Sequence, residues 1–241
     1  MLKWIRIVGT FLWIGFVTGI GAVLSIFRPF DTKNMVFATK PVSWAKYFLG
    51  FDIEIRNAEI LTQYQPCIFI SNHQDNLDII PGTCALPPRT VSVGKRSLMY
   101  VPLFGQFYWL AGNILINRSN QKKAFQTMDT VADAIKTKNI SVWIFPEGTR
   151  SKGKTTLLPF KKGPFITAIK AQVPIIPIAI SNYTLNMNLN KWHSTKIIVD
   201  ILPPIFTKGL SLNDVEEIKE KAFVSMKASI LKSNSEILKK S

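Results

Sequence analysis

Residues 67 to 78 read Cys-Ile-Phe-Ile-Ser-Asn-His-Gln-Asp-Asn-Leu-Asp, an apolar run that passes directly into polar residues. The run from Cys67 to Ser71 has the length and the β-branched and aromatic content of a buried strand. Catalytic groups favour the carboxyl ends of such strands in α/β folds. The segment therefore predicts a buried strand with reactive side chains at its end.

The rest of the chain alternates between similar apolar runs and helical patterns. Apolar residues recur with helical spacing between residues 120 and 138, and Ser211 with Asp214 forms a capping-box start for a last helix. Strands separated by helices predict an α/β fold, with a single mixed, largely parallel sheet flanked by helices. The other predicted strands are 52–56, 90–94, 114–117, 141–145, 175–180 and 197–202.

His73 and Asp78 follow the predicted strand 67–71, with four residues between them. Residues five apart on a helix are about 140° out of phase, so we expect His73 on a loop and Asp78 in the first turn of a helix. A carboxylate that accepts a hydrogen bond from one ring nitrogen would fix the tautomer and support the imidazolium. Two other interpretations stay open: Asn72 caps a helix beside an incidental surface histidine, and Asp75 is a competing carboxylate.

A second polar segment follows the strand 141–145 and reads Pro146-Glu-Gly-Thr-Arg150-Ser. A glycine-containing turn exposes backbone N–H groups, and a guanidinium offers a bidentate fork, so the segment suits an anion such as phosphate. Glu147 could orient Arg150 or accept a hydrogen bond from a substrate hydroxyl. The alternative is a solvated basic loop, since Lys152, Lys154, Lys161 and Lys162 follow.

Composition limits the class of protein. The chain has 241 residues, 30 Lys and Arg against 15 Asp and Glu, a net charge of +15, and 47% hydrophobic residues. Such a chain can bury a core, which excludes a disordered polycation. With only two cysteines, both in apolar stretches, a disulfide scaffold is excluded and a four-ligand zinc site has too few candidate ligands. We expect neither metal nor cofactor.

The amino-terminal part of the chain predicts membrane attachment. Residues 7–27 contain no charge and would form a helix about 31 Å long, close to the thickness of a bilayer's hydrocarbon core. Aromatic residues alternate with lysines in 35–51, as in an interfacial helix. We therefore expect a membrane anchor and interfacial helix in 1–50 and a catalytic domain in 51–241. A cleaved signal peptide is the alternative, and the lysine excess after the anchor favours a cytoplasmic domain on an anionic membrane.

Together the two polar segments resemble motifs of the glycerolipid acyltransferase family, which includes the bacterial 1-acylglycerol-3-phosphate acyltransferases. Its first motif, Asn-His-four residues-Asp, is similar to 72–78, and its third, Phe-Pro-Glu-Gly-Thr-Arg-Ser, to 145–151. The second typically reads Gly-x-x-Phe-Ile-Asp-Arg. Here Leu115 and Asn117 stand where Phe and Asp are usual, and Arg118 is in place. The fourth motif resembles 173–178.

The resemblance implies acyl transfer from acyl-CoA or acyl carrier protein to the 2-hydroxyl of lysophosphatidic acid, forming phosphatidic acid. His73 would be the general base and Asp78 its orienting carboxylate. The enzyme would face the cytoplasm from the bacterial inner membrane, without nucleic acid as a partner. Lys95 would contact the phosphate or the oxyanion. The residues that would hold the glycerol phosphate are Glu147, Gly148, Thr149, Arg150 and Arg118.

Three other functions stay open at the level of sequence. A hydrolase could pair His73 with Ser71 or Cys84, although no Gly-x-Ser-x-Gly elbow is present. A non-catalytic binder of anionic lipid or nucleic acid would explain the charge but not the histidine and carboxylate. Glycerol 3-phosphate could replace lysophosphatidic acid as acceptor. We expect His193 to be a surface residue, and the aromatic run 107–109 to be core or a pocket for the acyl chain.

Overall fold

A computed structural model describes residues 1–117, 121–153 and 155–239, with the side chains of 121–125 left out. Within these ranges the chain forms seven strands in one sheet, as the sequence predicts. The strands are β1 (Phe51–Arg56), β2 (Ile68–Ser71), β3 (Thr90–Lys95), β4 (Ile114–Ile116), β5 (Ser141–Ile144), β6 (Ile175–Ile180) and β7 (Thr195–Ile201). The helices are α1 (Leu2–Ile26), α2 (Lys33–Ser43), α3 (Ala45–Leu49), α4 (Ile60–Gln63), α5 (Ile79–Cys84), α6 (Phe104–Leu110), α7 (Gln121–Lys138), α8 (Gly163–Ala171), α9 (Tyr183–Asn186) and α10 (Val215–Lys239).

The sheet is mixed and largely parallel. Its strand order is β1-β7-β6-β2-β5-β3-β4, and the pair β6 and β7 is antiparallel whereas the other pairs are parallel. β2 lies in the middle, with Phe69 opposite Trp143 of β5 and Ile176 of β6. The carboxyl ends of β6, β2, β5, β3 and β4 therefore meet at one edge of the sheet, where an open α/β sheet usually binds its ligand.

Helices cover both faces of the sheet. One core contains apolar side chains of α7, α8 and α10 packed on the central strands. The other contains side chains of α2, α3 and α6, including Ala38, Leu49 and Phe107, together with Phe69 and Trp143 of the sheet. The runs of valine and isoleucine in β2, β5 and β6 are buried because both faces are covered.

The amino-terminal helix α1 is long and apolar enough to cross a membrane, and within the described ranges it is the one helix that is. One side of α1 packs against α2, α3 and α6, and this side buries Arg6, Thr10, Thr18 and Ser25. The opposite side exposes large apolar residues. We call these residues, with those exposed on α2 and α3, the apolar face: Trp4, Ile5, Val8, Phe11, Leu12, Phe16, Ile20, Val23, Ile26, Val36, Phe37, Trp44, Tyr47 and Phe48.

Both ends of α1 are attached to later segments of the chain. At the amino end, the Arg6 guanidinium donates hydrogen bonds to the carbonyl oxygens of Leu49 (3.0 Å), Lys191 (2.8 Å) and Trp192 (2.8 Å). Just beyond the carboxyl end, the Phe30 N–H donates to the Leu110 carbonyl at 2.7 Å. The helix therefore lies along the domain instead of extending away from it.

Gly50 makes room for the Arg6 contacts. Its φ is +68°, and a Cβ there would lie 2.3 Å from the Trp192 carbonyl oxygen and 2.8 Å from Nη1 of Arg6. A larger residue would displace the guanidinium from its carbonyl partners. Glycine is therefore required here both for backbone conformation and for space.

Replacing Arg6 by alanine should loosen α1. The change removes three hydrogen bonds from a charged donor in buried or partly buried surroundings, so we expect the free energy of unfolding to fall by about 2 kcal/mol. In a chain of this size that corresponds to a melting temperature lower by about 4–8 °C, measured in detergent. Lys3→Ala, at an exposed position one turn earlier, is the control and should change little. Equal melting temperatures for the two variants would contradict the assigned role of Arg6.

Candidate active site

Three adjacent strand ends bring the polar side chains together. His73 follows β2, Glu147 follows β5 on one side of it, and Tyr183 follows β6 on the other. The three residues are far apart in sequence, but parallel neighbouring strands deliver them to the same edge. A candidate active site therefore lies at the carboxyl end of the central strand.

Asp78, five residues after His73, accepts four hydrogen bonds at this site. It lies at the end of a 3₁₀ turn, Asn76–Asp78, and its side chain is 1% exposed. Its Oδ2 accepts hydrogen bonds from the His73 ring at 2.6 Å and from the backbone N–H groups of Gln74 (2.6 Å) and Asp75 (3.0 Å). Its Oδ1 accepts a hydrogen bond from the Tyr183 hydroxyl at 2.7 Å. These four donors fix the carboxylate in one orientation.

The imidazole of His73 is held on two sides. Its Nδ1 contacts Asp78, and its ring stacks on Phe145 with centroids 4.0 Å apart and an angle of 15° between the planes. The side chain is 14% exposed. With Nδ1 donating to the carboxylate, Nε2 is the unprotonated ring atom and can accept a proton.

Neither sequence alternative for this segment fits the structure. Asn72 does not cap the helical turn, because Asp75 does, accepting from the Leu77 N–H at 3.1 Å. Asn72 is instead buried and bonded to the backbone of Ile180 in β6, as donor at 2.9 Å and as acceptor at 2.8 Å. Asp75 is therefore a cap, and Asp78 is the carboxylate beside the histidine.

Glu147 holds the backbone of the loop that contains His73. Its Oε1 accepts from the His73 N–H at 2.5 Å and its Oε2 accepts from the Leu158 N–H at 2.9 Å. The residue is 3% exposed, and this burial raises the pKa of Glu147 from 4.5 to about 7, against the opposing effect of the two N–H donors. Both carboxylate oxygens of Glu147 therefore accept hydrogen bonds from backbone N–H groups. A further hydrogen bond, from the Ser151 N–H to the His73 carbonyl at 2.9 Å, joins the loop after β5 to the loop after β2.

The other residues predicted for the site lie along the same edge. Gly148 is partly exposed, whereas Thr149 and Arg150 are exposed to solvent on the loop after β5. Lys95 is the last residue of β3, the strand next to β5, and its side chain is exposed. Arg118 and Lys154 lie outside the described residues.

The hydrolase alternative lacks a nucleophile at the histidine. Ser71 is fully buried in β2, and its hydroxyl lies 3.4 Å from the Asn72 carbonyl. Burial raises the pKa of Cys84, and raises the pKa of Cys67 to about 12, so neither thiol is activated. In the described part of the chain, no group of three or more histidine, cysteine and acidic side chains could hold a metal ion.

Two smaller predictions can also be compared with the structure. His193 is exposed, as expected of a surface residue. In the aromatic run of α6, Phe107 and Tyr108 are buried, and Trp109 is 45% exposed with its ring edge-on to Phe30 at 5.2 Å. The first two therefore pack in the core.

A histidine and carboxylate at strand ends, beside a basic loop, is an arrangement that can remove a proton from a hydroxyl near an anion. Comparison with known proteins identifies this class. The family model described as Acyltransferase matches residues 52–181, which include the strands from β2 to β6 and the site residues His73, Asp78 and Glu147. The chain is therefore an acyltransferase.

Individual relatives narrow the assignment. The 1-acyl-sn-glycerol-3-phosphate acyltransferase of Salmonella typhimurium is 37% identical over 237 residues, covering 98% of this chain and 96% of the relative. The enzyme of that name from Escherichia coli is 39% identical, covering 90% and 89%. The human 1-acyl-sn-glycerol-3-phosphate acyltransferase alpha is 35% identical, covering 89% and 76%. This chain belongs to the 1-acyl-sn-glycerol-3-phosphate acyltransferase family.

A solved structure has the same fold. The crystal structure of the 1-acyl-sn-glycerophosphate (LPA) acyltransferase PlsC from Thermotoga maritima is similar with a TM-score of 0.75, covering 96% of this chain and 94% of that one, at 22% identity. The likeness extends over the amino-terminal helices as well as the sheet.

Tyr183 is the part of the site that sequence analysis missed. Tyr183→Phe keeps the buried ring but removes the donor to Asp78, so we expect kcat for acyl transfer to fall about tenfold, the value of one hydrogen bond, with KM values little changed. Tyr64→Phe is the control, since Tyr64 precedes β2 at the opposite end of that strand and packs on Phe206. Equal kcat values for the two variants would contradict a positioning role.

Glu147 should make stability depend on pH. Its pKa is about 7 when folded and 4.5 when unfolded, so its contribution to stability is complete below pH 4.5 and is lost as the pH rises through 7. The free energy of unfolding of the wild type, relative to Glu147→Gln, should therefore fall over this range. Thermal melts of both proteins across the range measure the difference, and parallel curves would contradict it.

Proposed function

We propose that this enzyme transfers a fatty acyl group from a thioester, on coenzyme A or acyl carrier protein, to the 2-hydroxyl of 1-acyl-sn-glycerol 3-phosphate. The product is phosphatidic acid, an intermediate of phospholipid synthesis. The observation that carries the proposal is the 2.6 Å contact between His73 Nδ1 and Asp78, at the same sheet edge as the loop of Arg150. The names of the relatives support the choice of acceptor.

His73 is the general base of the proposed reaction. Its Nε2 takes the proton of the 2-hydroxyl as that oxygen attacks the thioester carbonyl, and Asp78 stabilises the imidazolium that forms. The tetrahedral oxyanion collapses, the carbon–sulfur bond breaks, and the thiolate leaves and takes up the proton. Both substrates react within one complex, so no acyl-enzyme is needed.

The basic loop binds the phosphate of the acceptor in this proposal. Arg150 is exposed at the loop and presents a guanidinium that can hold two phosphate oxygens, and the exposed Thr149 brings its backbone N–H to the same place. Gly148 forms the turn that presents them, and its own N–H donates to the Phe145 carbonyl at 3.1 Å. Lys95, at the end of the neighbouring strand β3, is a second contact for phosphate or for the oxyanion. Arg118 is assigned here from the motif alone. Glu147 acts on the substrate indirectly, through the backbone of His73.

The apolar face defined above supports the proposal that the enzyme is bound to a membrane. Its residues belong to α1, α2 and α3, within the segment 1–50, and they are exposed although large and hydrophobic. Because Arg6 and Phe30 attach α1 to the domain 51–241 at both ends, the apolar face has a fixed position relative to the sheet. We propose that this face enters the cytoplasmic leaflet of the bacterial inner membrane, where the acceptor resides and a cytosolic thioester is within reach.

Removal of the His73 imidazole is the main test of the proposed mechanism. Purified His73→Ala protein should lose acyl transfer from oleoyl-CoA to radiolabelled lysophosphatidic acid by about 10² to 10⁴-fold, the usual contribution of a positioned general base. Asp78→Asn should be nearly as damaging, because the ring loses the carboxylate that orients it. His193→Ala, at the exposed histidine, should act like the wild type.

The same assay examines the acceptor and the competing functions. Replacing lysophosphatidic acid by glycerol 3-phosphate should abolish product formation by the wild type. Turnover of His73→Ala close to that of His193→Ala would defeat the mechanism. Release of free fatty acid in place of phosphatidic acid would favour the hydrolase alternative.

A further inference from the structure

Two consecutive lysines, Lys161 and Lys162, follow the phosphate loop in sequence and differ in their surroundings. The Lys162 ammonium lies 2.6 Å from Glu216 in an ion pair on the surface between α8 and α10. Lys161 forms no ion pair with any residue in the described part of the chain. Its side chain is exposed, so the ammonium is accessible to a ligand.

Lys161 is held against the loop that follows β5. Its backbone N–H donates to the Pro146 carbonyl at 2.8 Å, and three residues earlier the Leu158 N–H donates to Glu147 at 2.9 Å. The two hydrogen bonds fix the segment 158–161 beside the turn 146–148. The start of the Lys161 side chain is therefore part of the site's rigid framework.

The side chain then extends over Gly148. A Cβ at Gly148 would lie 3.6 Å from Cγ and 3.9 Å from Cε of Lys161, which is ordinary van der Waals contact. The aliphatic stem thus covers the glycine, whose φ of +70° forms the turn between Glu147 and Arg150. The stem therefore runs along the loop that carries Arg150 two residues later.

Among the described residues of this loop, no carboxylate is free to pair with the Lys161 ammonium, so the ammonium is available to bind an anion. The nearest carboxylate along the loop, Glu147, is buried and already accepts hydrogen bonds at both oxygens. A phosphate monoester near neutral pH carries a charge between −1 and −2, which a single guanidinium does not fully neutralise. A second cation beside the same turn completes the neutralisation.

We propose that Lys161 binds the phosphate group of the acceptor together with Arg150. This inference rests on the proposed function and adds a residue to its acceptor site. The lysine supplies a flexible point charge, whereas the arginine supplies a planar fork, so the two make different contacts with one phosphate. Lys162, one residue later, takes no part because it pairs with Glu216.

Steady-state kinetics of Lys161→Gln and Lys162→Gln test the proposal. Lys161→Gln should raise the KM for lysophosphatidic acid about tenfold, the effect of one charge-assisted hydrogen bond, with kcat and the KM for oleoyl-CoA changed less than about twofold. Lys162→Gln should leave all three constants within about twofold of the wild type. Lys161→Arg keeps the charge and should recover most of the affinity, whereas Lys161→Met keeps an unbranched stem beside Gly148 without the charge and should raise the KM as Lys161→Gln does.

Several results would overturn the inference. Matching KM values for Lys161→Gln and Lys162→Gln would show that Lys161 binds no phosphate. A rise confined to the KM for oleoyl-CoA would assign the lysine to the phosphates of the donor instead. Arg150→Lys is measured in parallel: if it raises the KM for lysophosphatidic acid and Lys161→Gln does not, this inference fails alone. If neither variant raises it, the proposed acceptor site fails with it.

Discussion

The buried carboxylate of Asp78 imposes the strongest constraint on this structure. An ionised carboxylate taken out of water is costly unless donors replace its hydration, and here four donors do so. Three come from its own loop after β2, and the fourth, Tyr183, comes from the segment after β6. This coordination requires β2 and β6 to be neighbours that run in the same direction. The sheet order and the orientation of the histidine are therefore parts of one arrangement.

The elements of the fold were predictable from sequence because of how they are buried. Strands that are covered on both faces are short apolar runs, as in β2, β5 and β6, and all seven segments predicted as strands are strands in the structure. The strand order was not predictable in this way, since it depends on pairings such as β2 with β5 and β6, which are distant in sequence. The contact of His73 with Asp78 could be predicted from sequence, because the two residues are only five apart and one turn brings them together.

Other parts of the site depend on contacts across the sheet that no local spacing encodes. Glu147 was considered as a partner of Arg150 or of a substrate hydroxyl, but its oxygens face the His73 and Leu158 N–H groups. Tyr183 follows β6 by three residues, much as His73 follows β2, and attention to that strand end would have nominated it. Arg6 immediately precedes the uncharged segment 7–27, and two of its carbonyl partners come from a turn far along the chain, which no local pattern indicates.

The long-range contacts of α1 also fix the position of the apolar face relative to the candidate active site. Arg6 attaches α1 beside Trp192, close to the start of β7, whereas Phe30 attaches the following turn to Leu110 at the end of α6. A helix held at two points cannot change its depth or tilt without moving the sheet. If the apolar face enters a leaflet, the distance from the lipid surface to His73 is then set by packing, not by a linker. An acceptor that stays in the membrane needs such a fixed distance, because its phosphate and its 2-hydroxyl must reach Arg150 and the imidazole together.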